Sequence, residues 1–109
     1  MVETKDLFEK NLIQFSGLQE EDSFDKTKIT DLTAQAYQKL QKMLDKEITL
    51  HMHIKKYVEG KESRTKYSIH AKLISPGFNF TAHAVEWGLY PAVRHALENL
   101  SRETIKRVK

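Results

Sequence analysis

Apolar and polar residues alternate almost without error along the stretch EITLHMHIKK, residues 47–56. Period two is the side-chain period of a β-strand, so one face of this segment is predicted to be buried and the other solvated. The apolar parity consists of Ile48, Leu50, Met52 and Ile54. Because the same alternation returns twice further along the chain, we predict strands over 47–57, 64–74 and 78–87.

A helical period replaces the alternation in the segment before these strands. Residues 29–46 are predicted to form a helix with Thr30 as N-cap, since its hydroxyl can accept an amide hydrogen bond from the first turn. The polar stretch 19–28 has no period and is predicted to be a loop. The apolar face of the helix consists of Ile29, Leu32, Ala36, Leu40, Met43 and Leu44.

A second helix is predicted over 88–109, again from apolar residues at helical spacing. Its surface carries two acid–base pairs at the i,i+4 spacing that favours helical ion pairs, Glu98 with Arg102 and Glu103 with Arg107. The buried face of this helix is predicted to consist of Leu89, Val93, Ala96, Leu97 and Leu100.

Together with a short apolar segment at 11–18, predicted as the first strand, these elements give the order β-α-β-β-β-α. A four-stranded sheet with two helices packed on one face would bury every apolar face named above, so the predicted fold class is α+β. Residues 11–109 are predicted to form a single domain. Residues 1–10 are expected to be an N-terminal extension, either disordered or a short helix.

Charge is distributed unevenly along the chain. Residues 1–25 carry a net charge of −5 and the remainder carries +8, within a total of +3. A basic body suits a polyanionic partner, above all nucleic acid, although Lys-rich surfaces also keep small proteins soluble. The sequence shows no apolar run long enough to span a membrane and no secretory signal, so we expect a cytoplasmic protein without a membrane partner.

Motifs of enzyme active sites are missing from the sequence. It contains no Gly-rich phosphate loop and no nucleophile elbow. It also contains no cysteine, which excludes a cysteine nucleophile, a disulfide framework and a thiolate zinc site. We therefore expect a protein that is not an enzyme and that uses no cofactor.

Three longer stretches resemble the short form of the ribosome hibernation-promoting factor family, which includes the ribosome-associated inhibitor A proteins. KITDLTAQAYQKLQKML (28–44) resembles the family's Ile-Thr-x-x-Leu helix start with its Lys-rich continuation. YSIHAKLISPGFNFTAHA (67–84) resembles its third and fourth strands. WGLYPAVRHALENLSRETIKR (87–107) resembles its junction from the last strand into a basic helix. One departure is Asn99, where the family usually has Lys.

The resemblance implies a ribosome-associated factor that binds the small ribosomal subunit, occupies its decoding channel and inhibits translation during ribosome hibernation under stress. It also implies contacts between rRNA phosphates and cations of both helices, at positions matching Lys39, Lys42, Lys46, Arg102, Lys106 and Arg107. The three lysines stand at i, i+3 and i+7, so they are predicted to form one stripe on the first helix. The free protein is expected to be a monomer.

Histidines are the other conspicuous feature of the solvated strand face, at His51, His53, His70 and His83. They can be solvated side chains, zinc ligands with a water as the fourth ligand, or contacts to RNA or a protein partner when protonated. Because polar residues ordinarily fill the exposed face of an antiparallel sheet, we predict no metal site and at most secondary contacts.

Two aromatic residues, Trp87 and Tyr90, flank the junction between the last strand and the last helix. Side chains of this kind are often half-buried, so we expect them to pack the helix onto the sheet edge. Stacking on a nucleic-acid base is the alternative.

Two other functions fit the same residues. One is an RNA-binding module of the double-stranded-RNA-binding type, which would prefer duplex RNA to ribosomes. The other is a protein-interaction module that uses the exposed sheet face or the acidic N-terminal segment, and its binding would depend little on salt.

Overall fold

Four strands and three helices make up the computed structural model, which describes residues 4–17, 23–59 and 64–108. The strands form one sheet in which the first pair is parallel and the other two pairs are antiparallel. The predicted α+β class and the order β-α-β-β-β-α are confirmed, with one short helix preceding them. In chain order the elements are α1 (Thr4–Glu9), β1 (Ile13–Ser16), α2 (Ser23–Leu44), β2 (Thr49–Glu59), β3 (Arg64–Ser75), β4 (Phe78–Glu86) and α3 (Leu89–Val108).

The core lies between one face of the sheet and the two long helices. The even positions of β2 and the odd positions of β3 supply fully buried side chains, such as Leu50, Met52 and Ile69. α3 packs on β3 and β4 and also contacts α2. Its predicted buried face is confirmed at Leu89, Val93, Ala96, Leu97 and Leu100. The opposite face of the sheet is left open, as the alternation of the strands predicts.

α2 begins earlier than its apolar pattern indicates. The predicted loop over 19–28 is wrong from Ser23 onward, while residues 19–22 lie outside the described part of the chain. The first turns carry exposed residues such as Lys26 and Lys28, so no apolar period marks them. Thr30 is therefore in the helix interior and not its N-cap, and its hydroxyl donates a hydrogen bond to the carbonyl of Lys26 at 2.7 Å.

The end of α2 also differs from the prediction, because the helix stops at Leu44. Asp45 adopts a left-handed backbone with φ of 51°, which Asp tolerates better than most residues. Its amide donates the last hydrogen bond, to the carbonyl of Gln41 at 2.8 Å. Lys46 thus lies beyond the helix, and the predicted three-lysine stripe keeps only Lys39 and Lys42 on α2.

The buried face of α2 is centred on Tyr37, which the sequence-based face omitted. Tyr37 is completely buried, and its hydroxyl donates to the carbonyl of Ile48 at 2.7 Å. Burial, together with the negative charge of Glu47, raises the pKa of Tyr37, so the hydroxyl remains a donor. Leu32 and Ala36, predicted for the core, are only partly buried and face the neighbouring helix instead.

α1 is joined to β1 by a compact helix end. The amide of Leu12 donates to the carbonyl of Leu7 at 2.9 Å, and the amide of Asn11 donates to the carbonyl of Phe8 at 3.1 Å. Asn11 has a φ of 58°, so these bonds form the Schellman arrangement that ends many helices. Leu7 is 0% exposed and belongs to the core, whereas residues 1–3 lie outside the described part.

Gly17 allows β1 to lie against β2 where the parallel pair ends. Its φ is +85°, a backbone conformation that is strained for any residue with a side chain. An added Cβ would also collide with the carbonyl oxygen of Ile54. The register pairs Ser16 with His53 immediately before this point. A residue without a side chain is thus required for this close approach.

Candidate nucleic-acid interface

Five of the six cations predicted to bind RNA lie on α2 and α3, Lys46 follows the end of α2, and all six are exposed. α2 packs directly against α3, so cations from both elements lie on the layer that covers the sheet. We call this set the helix surface, and it consists of Lys39, Lys42, Lys46, Arg102, Lys106 and Arg107.

Ion pairs along α3 differ from those predicted. Glu98 accepts a hydrogen bond from Nε of Arg94 at 3.1 Å, and Oε1 of Glu103 lies 3.6 Å from Nζ of Lys106. The predicted ion pairs of Glu98 with Arg102 and of Glu103 with Arg107 are therefore wrong. Within the part of the chain that the structure describes, Arg102 and Arg107 form no ion pair, and neither do Lys39 and Lys42 on α2. Their positive charges are available to a partner.

A groove of about 240 Å³ lies on the surface where α2 and α3 meet. Its lining includes apolar residues of both helices, Leu32, Ala36 and Leu97, together with the cations Lys39 and Arg94. Arg94 was not singled out from the sequence, because nothing in the helical period shows that it shares a groove with Lys39. The groove places one cation from each helix beside an apolar lining.

The residue at which this chain departs from the family pattern has a structural role. Nδ2 of Asn99 donates a hydrogen bond to the carbonyl oxygen of His83 at 3.1 Å. This bond ties α3 to β4 across the helix–sheet boundary. Asn99 therefore positions the helix against the sheet.

The open sheet face carries the predicted histidines, and three of them form one row across the strands. The register pairs His53 with His70 and His70 with His83, and on the edge strand it pairs Ser16 with His53. The Ser16 hydroxyl lies 2.6 Å from Nδ1 of His53. The ring centroids of His70 and His83 are 4.8 Å apart. His51 lies in the next row, opposite Lys72.

His70 occupies the centre of this row, and its surroundings disfavour a positive charge. Partial desolvation lowers the pKa of His70, and the positive charges of His83, Lys55 and His53 lower it further. An unfolded chain would not hold these charges together. His70 therefore binds protons less readily in the folded protein than in the unfolded one.

Acidification is expected to destabilise the protein in part through His70. Because its folded pKa is lowered, its contribution is fully present above about pH 6.5 and is lost as the pH falls through the folded pKa. His70→Gln should therefore reduce the loss of unfolding free energy between about pH 7.5 and pH 5. Denaturant titrations of both proteins at the two pH values measure the difference, and equal losses would contradict the prediction.

The zinc interpretation of the histidines gains no support from the geometry. Among the residues that the structure describes, no three His, Asp or Glu side chains are arranged to hold a metal ion. The row is also spread over separate strands of an open face, where water competes for every imidazole.

One end of the open sheet face is aromatic. The sequence analysis named Trp87 but did not single out Tyr57. Tyr57 and Trp87 are each 45% exposed, so nearly half of the Trp87 surface faces water. Lys66 pairs with Tyr57, and its Nζ lies 4.9 Å from the centroid of the Trp87 ring. Following the alternation past Lys55 to the end of the predicted strand 47–57 would have identified Tyr57 as well.

The helices of the described residues include none long and apolar enough to cross a membrane.

Comparison with known proteins identifies a matching family and two solved structures of similar fold. A family model described as "Hibernation factor Hib, C-terminal domain" matches residues 12–109. Among solved structures, the Thermus thermophilus Protein Y N-terminal domain superposes with a TM-score of 0.61 at 20% identity, covering 89% of this chain and 94% of that one. A ribosomal subunit interface protein from Coxiella burnetii gives a TM-score of 0.58 at 19% identity, covering 87% and 92%. A comparison with curated proteins finds no significant relative.

At these identities the two solved structures show a shared fold. The family model matches nearly the whole chain, and it confirms the hibernation-factor family that the sequence resembles. The chain therefore belongs to the family of the hibernation factor Hib C-terminal domain.

Proposed function

We propose that this protein associates with the small ribosomal subunit in the cytoplasm and inhibits translation by occupying the decoding channel. Membership of a hibernation factor family supports the ribosome-associated role. The Coxiella burnetii protein that shares this fold is a ribosomal subunit interface protein, which supports the same partner. The protein acts by occupancy and catalyses no reaction.

The helix surface is the observation that carries the mode of binding. Exposed cations such as Lys39, Lys42 and Arg102, which have no acidic partner among the described residues, are distributed over two packed helices. Phosphate contacts need spaced, flexible cations and no base-reading geometry. Each neutralised phosphate releases condensed counterions, so the affinity must fall steeply as salt rises.

Co-sedimentation with small ribosomal subunits across a salt series tests this proposal. We expect the affinity of the unsubstituted protein to fall about a thousandfold between 50 and 200 mM salt if the whole helix surface engages phosphates. The Lys39→Ala, Lys42→Ala double variant should bind at least about tenfold more weakly at low salt. Its slope of log affinity against log salt should be shallower by about 1.5, since two phosphate contacts are lost.

A charge-matched control is available in the same chain. Lys10 and Lys26 are also exposed lysines, and Lys26 lies about 20 Å along α2 from Lys39. The Lys10→Ala, Lys26→Ala double variant should change the affinity by less than about threefold. Equal losses in the two double variants would show that net charge matters and the helix surface does not.

Occupancy of the decoding channel is tested by competition. Subunits already filled with messenger RNA and transfer RNA should not bind the protein, whereas empty subunits should. Stronger binding to an RNA duplex than to subunits would favour the double-stranded-RNA-binding alternative. Binding to subunits that does not change with salt would favour a protein-interaction module instead.

A further inference from the structure

The open sheet face is chemically different from the helix surface, and it lies on the opposite side of the sheet. Its charged side chains in the described residues are the lysines Lys55, Lys66 and Lys72, with the histidine row between them. The charged side chains that the structure describes on this face are thus all basic, and they are complementary to a polyanion.

Exposed apolar groups on this face do not form one patch. Tyr57, Val85 and Trp87 stand at one end, and Ile74 stands near the other. The histidine row and the neighbouring row of His51, Lys72 and Thr81 lie between the two ends, and both rows are polar. A protein interface ordinarily has a contiguous apolar centre with charge at its rim, and this face has the reverse arrangement.

The aromatic end holds a cation and two rings within one small area. Nζ of Lys66 is 4.9 Å from the centre of the Trp87 ring, and Lys66 is the register partner of Tyr57. An unpaired nucleotide presents a flat base beside a phosphate, so it needs a stacking ring and a cation side by side. A four-stranded sheet with exposed aromatic residues is a surface on which proteins stack unpaired RNA bases.

We propose that the open sheet face is a second RNA-binding surface, and that its ligand is single-stranded RNA. Tyr57 and Trp87 stack on bases, while Lys66 and Lys55 neutralise adjacent phosphates. The histidine row continues the contact toward Lys72. This surface reads unpaired nucleotides by stacking, whereas the helix surface contacts phosphates only.

The chain contains one tryptophan, so intrinsic fluorescence reports directly on the proposed site. Titration of the purified protein at low salt with a 12-nucleotide oligouridylate should quench Trp87. Anisotropy of the labelled oligonucleotide then measures affinity in variants that lack the tryptophan. Tyr57→Ala and Trp87→Ala should each weaken binding about tenfold, and Lys66→Ala should weaken it while keeping both rings and testing the cation alone.

The helix double variant, Lys39→Ala with Lys42→Ala, is the matched control on the other side of the sheet. It should weaken ribosome binding at least about tenfold and keep the affinity for the oligonucleotide within about threefold. The two proposals therefore fail separately. Far-UV circular dichroism and a denaturation midpoint confirm that each variant is folded before its affinity is compared.

Three probes decide the identity of the ligand. Inorganic polyphosphate of equal charge carries no bases, and it should bind more weakly and quench little. A base-paired RNA 12-mer should also bind more weakly, because its bases are not free to stack. If polyphosphate binds with the same affinity as the oligonucleotide, stacking on bases is excluded and the proposal is overturned. If polyglutamate binds more tightly than either, the face recognises an acidic protein surface and the RNA proposal is overturned. Absence of quenching at low salt also overturns it.

Discussion

The free energy of unfolding should fall by more than about 3 kcal/mol when Gly17 is replaced by alanine. Two costs add at this position. The backbone φ of +85° strains any residue that has a Cβ, at about 1–3 kcal/mol. The new Cβ also collides with the carbonyl oxygen of Ile54, which is backbone and cannot rotate away. β1 must then separate from β2 and lose part of the parallel pairing. Equilibrium denaturation followed by circular dichroism measures the loss.

Gly77→Ala separates the two costs. Gly77 has a similar φ of +94°, but a Cβ added there would meet nothing within 4 Å. We expect a loss of about 1–2 kcal/mol from backbone strain alone. The difference between the two variants is then the cost of the contact with Ile54. Equal losses would mean that β1 is not held as closely to β2 as the structure indicates.

Truncation of Leu7 should be the second most damaging change, with an expected loss of about 2–4 kcal/mol for Leu7→Ala. Leu7 is completely buried in the core, and its carbonyl anchors the helix end that leads into β1. Removing its methyl groups leaves a cavity among side chains that cannot fully close around it. Denaturant titration gives the change in unfolding free energy.

The result also decides how the first ten residues relate to the domain. If they are only an extension, as the sequence suggested, Leu7→Ala should change stability no more than an exposed substitution does. Lys10→Ala provides that comparison in the same segment, since Lys10 is exposed and its replacement should cost less than about 0.5 kcal/mol. A large loss for Leu7 beside a negligible one for Lys10 would place α1 inside the folding unit.

The strands were predictable because burial on one face imposes a period of two that the sequence displays. Leu50 and Met52 are buried, and His53 between Met52 and Ile54 is exposed. The start of α2 could not be predicted in the same way, because its first turns contribute no apolar period. Tyr37 was missed because its hydroxyl suggests exposure, and only the structure shows that the carbonyl of Ile48 accepts a hydrogen bond from it.

Candidate site residues were predictable as types and less so as arrangements. The alternation placed His53, His70 and His83 on one face, but their alignment in a single row depends on strand register. Register follows from tertiary pairing, which one sequence does not specify. The prediction that Lys46 belongs to a stripe on the helix was wrong for a local reason. Asp45 adopts a left-handed backbone and ends the helix before Lys46.

The helices of the described residues all lie on one face of the sheet, and the molecule is a slab with Cα extents of 47 × 28 × 17 Å. Its two broad sides are both cationic, the helix surface on one and the lysines of the open sheet face on the other. A flat polyanionic wall can engage only one broad side of a slab at a time. If both proposed surfaces bind RNA, the shape suits a narrow cleft between two RNA surfaces. The protein would then contact one RNA surface with each broad side and hold the two apart.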